Sequence, residues 1–75
     1  MDGLAERLRT AREDRNLTQA VWAEKIGVPY RTLQDNERGH STPGSAVLIA
    51  YANQGVDMNW LLTGKSVTTP KPKKR

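Results

Sequence analysis

The 75-residue sequence predicts one small all-α domain of five short helices, followed by a basic tail. Apolar residues recur three or four positions apart, and no stretch alternates apolar and polar residues as a half-buried strand would. Glycines, prolines and short polar residues divide the first 64 residues into stretches of helical length. The sequence contains no cysteine, which excludes disulfides and thiolate zinc sites. A compact apolar core must therefore hold the domain together.

The first helix is predicted over residues 3–16, with Asp2 as its N-terminal cap. Its narrow apolar stripe comprises Leu4, Ala5, Leu8 and Ala11. The second helix is predicted over residues 19–26, because the Thr18 hydroxyl can accept its first amides and Gly27 can end it. The side chains expected to point partly inward are Ala20, Val21, Ala23 and Ile26.

The third helix is predicted to open at Pro29 or Tyr30 and to end near Arg38, before Gly39. Proline suits a first helical turn because it lacks the amide that would go unpaired there.

The fourth helix is predicted over residues 45–54 and is ended by Gly55. The fifth is predicted over residues 58–62, with Asp57 as its N-terminal cap. The predicted inner face of the fourth helix comprises Val47, Leu48, Tyr51 and Ala52. The fifth is expected to cover the core with Trp60, Leu61 and Leu62.

The net charge of +4 belongs to the tail. Residues 65–75 contain five of the 12 basic residues and no acidic residue, which leaves residues 1–64 with seven basic and eight acidic residues. The tail also contains two prolines and few apolar residues, so we expect a disordered arm or linker behind a domain of residues 1–64. An acidic partner of the domain must therefore be argued from the positions of individual basic residues.

The most informative stretch is residues 19–38, two predicted helices joined with almost no loop. Ala23 is small enough for close packing between the helices, Gly27 permits the positive φ of a tight turn, and Leu33 faces the core. This spacing predicts a helix-turn-helix whose second helix can enter the major groove of DNA. The side chains left nearer to solvent on that helix are Tyr30, Arg31, Thr32, Gln34 and Asp35.

Several short motifs, in this order and spacing, resemble the lambda repressor/Cro (XRE) family over about residues 4–64. They are Thr18-Gln19-Ala20, Trp22-Ala23, Ile26-Gly27, Thr32-Leu33-Gln34, Glu37-Arg38-Gly39 and the segment from Gly55 to Gly64. The resemblance implies a compact lambda-repressor-like fold. It also implies a transcriptional regulator of the phage or prophage repressor type, which binds a palindromic double-stranded DNA operator as a homodimer.

The resemblance assigns three sets of residues. Those expected to contact bases are Tyr30, Arg31, Thr32, Gln34 and Asp35. Those expected to contact phosphates are Arg12, Thr18, Gln19, Arg38, His40, Ser41 and Thr42. Those expected at a dimer contact are Val56, Met58, Asn59 and Leu62. Arg31 has donors for guanine O6 and N7, and the Asp35 carboxylate can accept from cytosine N4.

Structural alternatives stand beside these assignments. Arg12 and Glu37, which match an ion pair of the family, can serve structure alone, and Arg31 can be a solvated helix charge. Asn36 departs from the family, which usually has an apolar or aromatic residue there, so it can bond locally or face a phosphate. Pro29 replaces the usual Ser or Thr cap.

The sequence predicts no enzyme, because no nucleophile with an oriented base and no metal cluster can be assembled from it. We expect no cofactor, no membrane segment and a location in the cytoplasm of a bacterial host, at the nucleoid. Relief of binding is expected from outside the domain, through a protein antirepressor or a further C-terminal domain. The alternatives are a protein-interaction module, such as a helix-turn-helix antitoxin, and the DNA-binding end of a longer repressor.

Overall fold

The computed structural model describes residues 3–65, so the predicted cap Asp2 and residues 66–75 of the predicted tail lie outside the described residues. The described part contains five helices and no strand, which confirms the all-α prediction. Their bounds are α1 Leu4–Glu13, α2 Gln19–Ile26, α3 Tyr30–Arg38, α4 Ser45–Asn53 and α5 Met58–Thr63.

All five helices contribute side chains to the core, α4 through Val47 and Tyr51. Its largest buried apolar side chains are Trp22, Tyr51, Leu8, Leu33 and Leu61. The rings of Trp22 and Tyr51 meet edge to face, with their centroids 5.4 Å apart. The guanidinium of Arg15 lies over the Trp22 ring, 5.5 Å from its centroid, and makes a cation–π contact with it.

Helix ends follow the predicted capping chemistry where the sequence supplies it. The Thr18 hydroxyl accepts a hydrogen bond from the Val21 amide at 3.2 Å. The Asp57 carboxylate accepts from the amides of Asn59 and Trp60 at 3.0 and 3.2 Å. The predicted bounds of α2 and the predicted end of α3 are confirmed, with α3 opening at Tyr30, the second of its two predicted start residues.

Three predicted helix ends were wrong. α1 ends at Glu13, because the chain turns over residues 14–16 and Asn16 takes a φ of 59°. α4 ends one residue early, at Asn53, and α5 continues one residue further, to Thr63.

Several predicted inward positions were also wrong. Ala20 and Val21 are exposed, because α2 turns Trp22 into the core beside Ala23, which is buried as predicted. Ala52 is exposed as well, because Val47 and Tyr51 occupy the inner side of α4. Of the predicted cover, Leu61 is buried, Trp60 is half-buried and Leu62 is exposed. None of the helices within residues 3–65 has the length and apolar character of a membrane span.

Candidate nucleic-acid interface

The connection between α2 and α3 is the tightest in the fold, with only Gly27, Val28 and Pro29 between the helices. Gly27 lies in the left-handed region, with a φ of 77°. The amides of Gly27 and Val28 both donate to the Ala23 carbonyl, at 2.9 and 3.0 Å. Ala23 and Leu33 are buried as predicted, and α2 and α3 pack against each other.

α3 has one side in the protein interior and the other towards solvent. Leu33, Asn36 and Glu37 are buried. Of the residues predicted to contact bases, Tyr30 and Arg31 are exposed, and the half-buried members are Thr32, Gln34 and Asp35. The structure therefore brings all five together on one helix, with its buried residues anchoring it from behind.

Arg31 and Asp35 pair with each other, one helical turn apart. Arg31 Nε lies 3.7 Å from Asp35 Oδ2, and the two side chains are 83% and 30% exposed. An exposed pair of this kind adds little to stability.

Behind α3, Glu37 accepts hydrogen bonds from two other helices. Arg12 donates to it through Nε and Nη2, each at 2.9 Å, and Gln19 Nε2 donates at 3.0 Å. Arg12 Nη1 also donates to the Leu17 carbonyl at 2.9 Å. The hydrogen bond to Glu37 raises the pKa of Arg12. The family resemblance implied the Arg12–Glu37 pair, but the bond from Gln19 was missed because only the fold places that amide beside Glu37.

This network restricts the predicted phosphate contact of Arg12. The side chains of Arg12 and Glu37 are only 11% and 2% exposed. All three guanidinium nitrogens of Arg12 already donate to protein oxygens. Arg12 is therefore foremost part of a structural ion pair, which was the alternative left open by the sequence.

The other residues predicted to contact phosphates lie at two places on the surface. Thr18 is exposed and Gln19 half-buried at the start of α2. The exposed residues at and after the end of α3 are Arg38, His40, Ser41 and Thr42. The amides of His40 and Ser41 donate to the Asp35 carbonyl, so the loop folds back on α3.

Asn36 holds this loop, a role that sequence reasoning missed. The residue is 2% exposed, and its Nδ2 donates to the Ser41 carbonyl at 3.1 Å. Its Oδ1 is buried and has no hydrogen-bond partner among the described residues. Of the alternatives that the sequence left open, Asn36 therefore bonds locally and does not face a phosphate.

The residues predicted at a dimer contact divide into two kinds. Val56 is buried and Met58 packs against the core of its own protomer. Asn59 and Leu62 are exposed on α5. Asn59 and Leu62 are therefore the more exposed pair, Met58 is half-buried, and Val56 is buried.

Comparison with known families gives one match. A family model described as helix-turn-helix matches residues 8–54, more than half of the chain. The matched region runs from within α1 to the end of α4 and includes the whole α2–turn–α3 unit. Searches of the curated proteins and of the solved structures returned no significant match.

Proposed function

The chain belongs to the lambda repressor-like helix-turn-helix family of DNA-binding regulators, and on that premise we propose that it is a transcriptional repressor of the phage or prophage type. It binds a palindromic operator as a homodimer, with α3 of each copy in the major groove. It acts in the cytoplasm of a bacterial host, at the nucleoid, and its repression is relieved by a protein antirepressor or a further C-terminal domain.

The observation that supports this proposal best is the two-sided character of α3. Leu33, Asn36 and Glu37 anchor the helix in the interior, while the five side chains proposed to contact bases remain accessible. Contacts with base edges require side chains held in a defined position, because a small displacement breaks the paired hydrogen bonds. A rigid helix with an accessible polar side satisfies that requirement.

The chemistry of the accessible side suits a mixed operator sequence. Arg31 can donate two hydrogen bonds to guanine, Gln34 can pair with adenine, and Asp35 can accept from cytosine N4. Tyr30 and Thr32 can contact the methyl group of thymine through their apolar atoms.

Backbone contacts are proposed at the start of α2 and in the loop after α3. Thr18 and Gln19 lie at a helix N-terminus, where unpaired amides favour a phosphate. The proposed contacts after α3 come from Arg38, His40, Ser41 and Thr42. Arg12 is kept in this set only for the small part of its side chain that Glu37 and Leu17 leave exposed.

Two copies are proposed because half-sites one helical turn apart present their major grooves to two α3 helices at once. The α5 residues proposed at the dimer contact are Val56, Met58, Asn59 and Leu62. Of these, Asn59 and Leu62 are the exposed ones.

The test is affinity selection from a random DNA duplex library, with the wild type and Arg31→Ala in parallel. The wild type should select a palindromic motif with a G·C pair in each half-site. Arg31→Ala should lose the preference at that position and keep it at the others. The matched control is Arg9→Ala, which removes the same charge from a side chain on α1 that is 43% exposed. It should change affinity without changing the motif.

Two outcomes contradict the proposal. If Arg31→Ala weakens binding to all sequences equally, then Arg31 is a phosphate contact and the assignment of a base is wrong. If selection yields no motif, the chain does not bind an operator. A protein-interaction module, such as a helix-turn-helix antitoxin, is then the better hypothesis.

A further inference from the structure

The charges of the chain are unevenly distributed. Asp57 is the only Asp, Glu, Lys or Arg in residues 39–64, whereas residues 3–38 contain seven basic and six acidic residues. The uncharged segment contains both α4 and α5. DNA attracts cations, and α4 and α5 contain none, so the surfaces of these two helices are less suited to a polyanion than the loop of residues 40–42 that precedes them.

The outer side of α4 has no charged residue, and it exposes one large apolar side chain, Ile49. It consists of the exposed residues Ser45, Ala46, Ile49, Ala52 and Asn53, which we call the α4 outer face. Ser45 and Ala46 lie four and three positions before Ile49, and Ala52 and Asn53 lie three and four positions after it, so all of them surround Ile49 on one side of the helix. Ile49 is 58% exposed, the most exposed large apolar side chain in residues 3–65. A surface helix normally has charged or polar residues on that side.

We propose that the α4 outer face, centred on Ile49, is the contact surface for a second copy of this chain. The inference rests on the proposed function, since it names the surface through which two copies occupy one operator. It is an alternative to the α5 contact that the family resemblance implies, because Val56 and Met58 are already engaged in the core of their own chain.

The absence of charge on this face favours a second copy as the occupant. In a two-fold contact each residue near the axis meets its own counterpart, so a charged residue would face a like charge. Ile49 would instead meet Ile49 of the second copy. Ala46 and Ala52 are small enough for the two helices to approach closely, while Ser45 and Asn53 can exchange hydrogen bonds at the rim.

One helix face is smaller than the roughly 800 Å² per partner that stable interfaces bury. The dimer is therefore weak in solution and forms chiefly on the operator, where binding of the first copy raises the local concentration of the second. Occupancy of the two half-sites is cooperative as a result.

The experiment uses the full chain with Ile49→Asp and Ile49→Lys. Opposite charges alter DNA affinity in opposite directions, so an effect shared by both variants reports on the contact between copies. We expect both to raise the dissociation constant of the dimer at least about tenfold in sedimentation equilibrium. Affinity for a palindromic operator should fall about as much, relative to affinity for a single half-site.

The matched control is Val21→Asp, since Val21 is 49% exposed but lies on α2. It should leave the dissociation constant of the dimer unchanged. Unfolding of each variant in urea confirms that any loss of dimer is not a loss of fold.

Two results overturn the inference while leaving sequence-specific DNA binding intact. One is a wild type that stays monomeric both in solution and on the palindrome, which would assign the face to a different protein. The other is a wild-type dimer that neither Ile49 variant weakens. If α5 is the contact, Leu62→Asp should weaken that dimer instead. Conversely, a dimer that depends on Ile49 but binds no operator supports the inference and contradicts the proposed function.

Discussion

At the scale of single residues, Glu37 shows how a buried charge can serve a DNA-binding surface that it does not touch. Its carboxylate lies in the interior, where an unpaired charge would be very unfavourable. Arg12 from α1 and Gln19 from α2 together donate three hydrogen bonds to it. Glu37 thus links the three helices that determine the position of the accessible side of α3.

Glu37→Ala should lower the free energy of unfolding by about 3–5 kcal/mol, because it leaves the Arg12 guanidinium buried without its partner. The control is Asp35→Ala, which removes a carboxylate from an exposed pair on the same helix and should cost about 0–1 kcal/mol. Urea unfolding of both variants measures the difference. Equal losses would contradict a special role for the buried pair.

Tyr51 should make stability depend on pH under alkaline conditions. Burial raises the pKa of Tyr51 from 10.0 to about 12 in the folded state. Between these values the unfolded chain loses the phenolic proton and the folded chain retains it. The free energy of unfolding should therefore be unaffected by this group below about pH 10 and fall between about pH 10 and 12.

Urea unfolding from pH 9 to 12 checks this through the difference in the free energy of unfolding between the wild type and Tyr51→Phe at each pH. The variant should lose the part of the fall that Tyr51 contributes. It should differ little at lower pH, since the hydroxyl donates only a long 3.5 Å bond to the Leu8 carbonyl. Identical profiles for the wild type and Tyr51→Phe would refute the predicted shift.

At the scale of elements, the turn between α2 and α3 depends on one backbone conformation. Gly27→Ala should lower the free energy of unfolding by about 1–2 kcal/mol, because an L-residue is strained in the left-handed region. A Cβ at Gly27 meets no atom within 4 Å, so the backbone is the only source of this cost. Gly27→Asn should cost less, since asparagine tolerates that region better.

Gly44→Ser is the control for this series. Gly44 precedes α4 with a φ of −80°, and a Cβ there also meets no atom within 4 Å. Serine should therefore be neutral or slightly stabilising as an N-terminal cap. If Gly27→Ala is as neutral as Gly44→Ser in urea unfolding, the left-handed turn is not what requires glycine.

The elements also show what the sequence could and could not predict. α2 and the end of α3 were predicted correctly because Thr18, Gly27 and Gly39 mark them locally. The end of α1 was missed, because Asn16 adopts a positive φ without a glycine to indicate it. Ala20 and Val21 point outward because Trp22 fills the core. The choice of Trp22 depends on tertiary packing, which the local sequence does not show.

The candidate interface was predictable to a similar extent. The spacing of Ala23, Gly27 and Leu33 predicted the helix-turn-helix, and the structure confirms it. The bond from Asn36 to the Ser41 carbonyl could not be predicted, because it depends on the path of the loop. The burial of Arg12 could not be predicted either, because it depends on the fold bringing Glu37 and the Leu17 carbonyl to its guanidinium.

At the scale of the whole molecule, residues 1–64 are nearly neutral, and most of the positive charge lies in residues 65–75. Truncation after Gly64 removes five positive charges and should weaken binding to all DNA sequences alike. Each lost phosphate contact should reduce the slope of log K against log salt by about 0.9. The selected motif should not change. Binding isotherms at several salt concentrations and a repeated selection measure both quantities.

A different result would reassign the DNA contact. Loss of the motif together with the tail would mean that the basic residues of the tail alone contact DNA, and that α3 does not contact bases.

The division of α3 into an anchored and an accessible side also has an evolutionary consequence. The residues that hold the helix are Leu33, Asn36 and Glu37, and none of them is among those proposed to contact bases. Substitutions at Tyr30, Arg31 or Gln34 can therefore accumulate with little loss of stability. A descendant of this chain could acquire a new operator through a few surface mutations, so related regulators can diverge in target while they inherit the same scaffold.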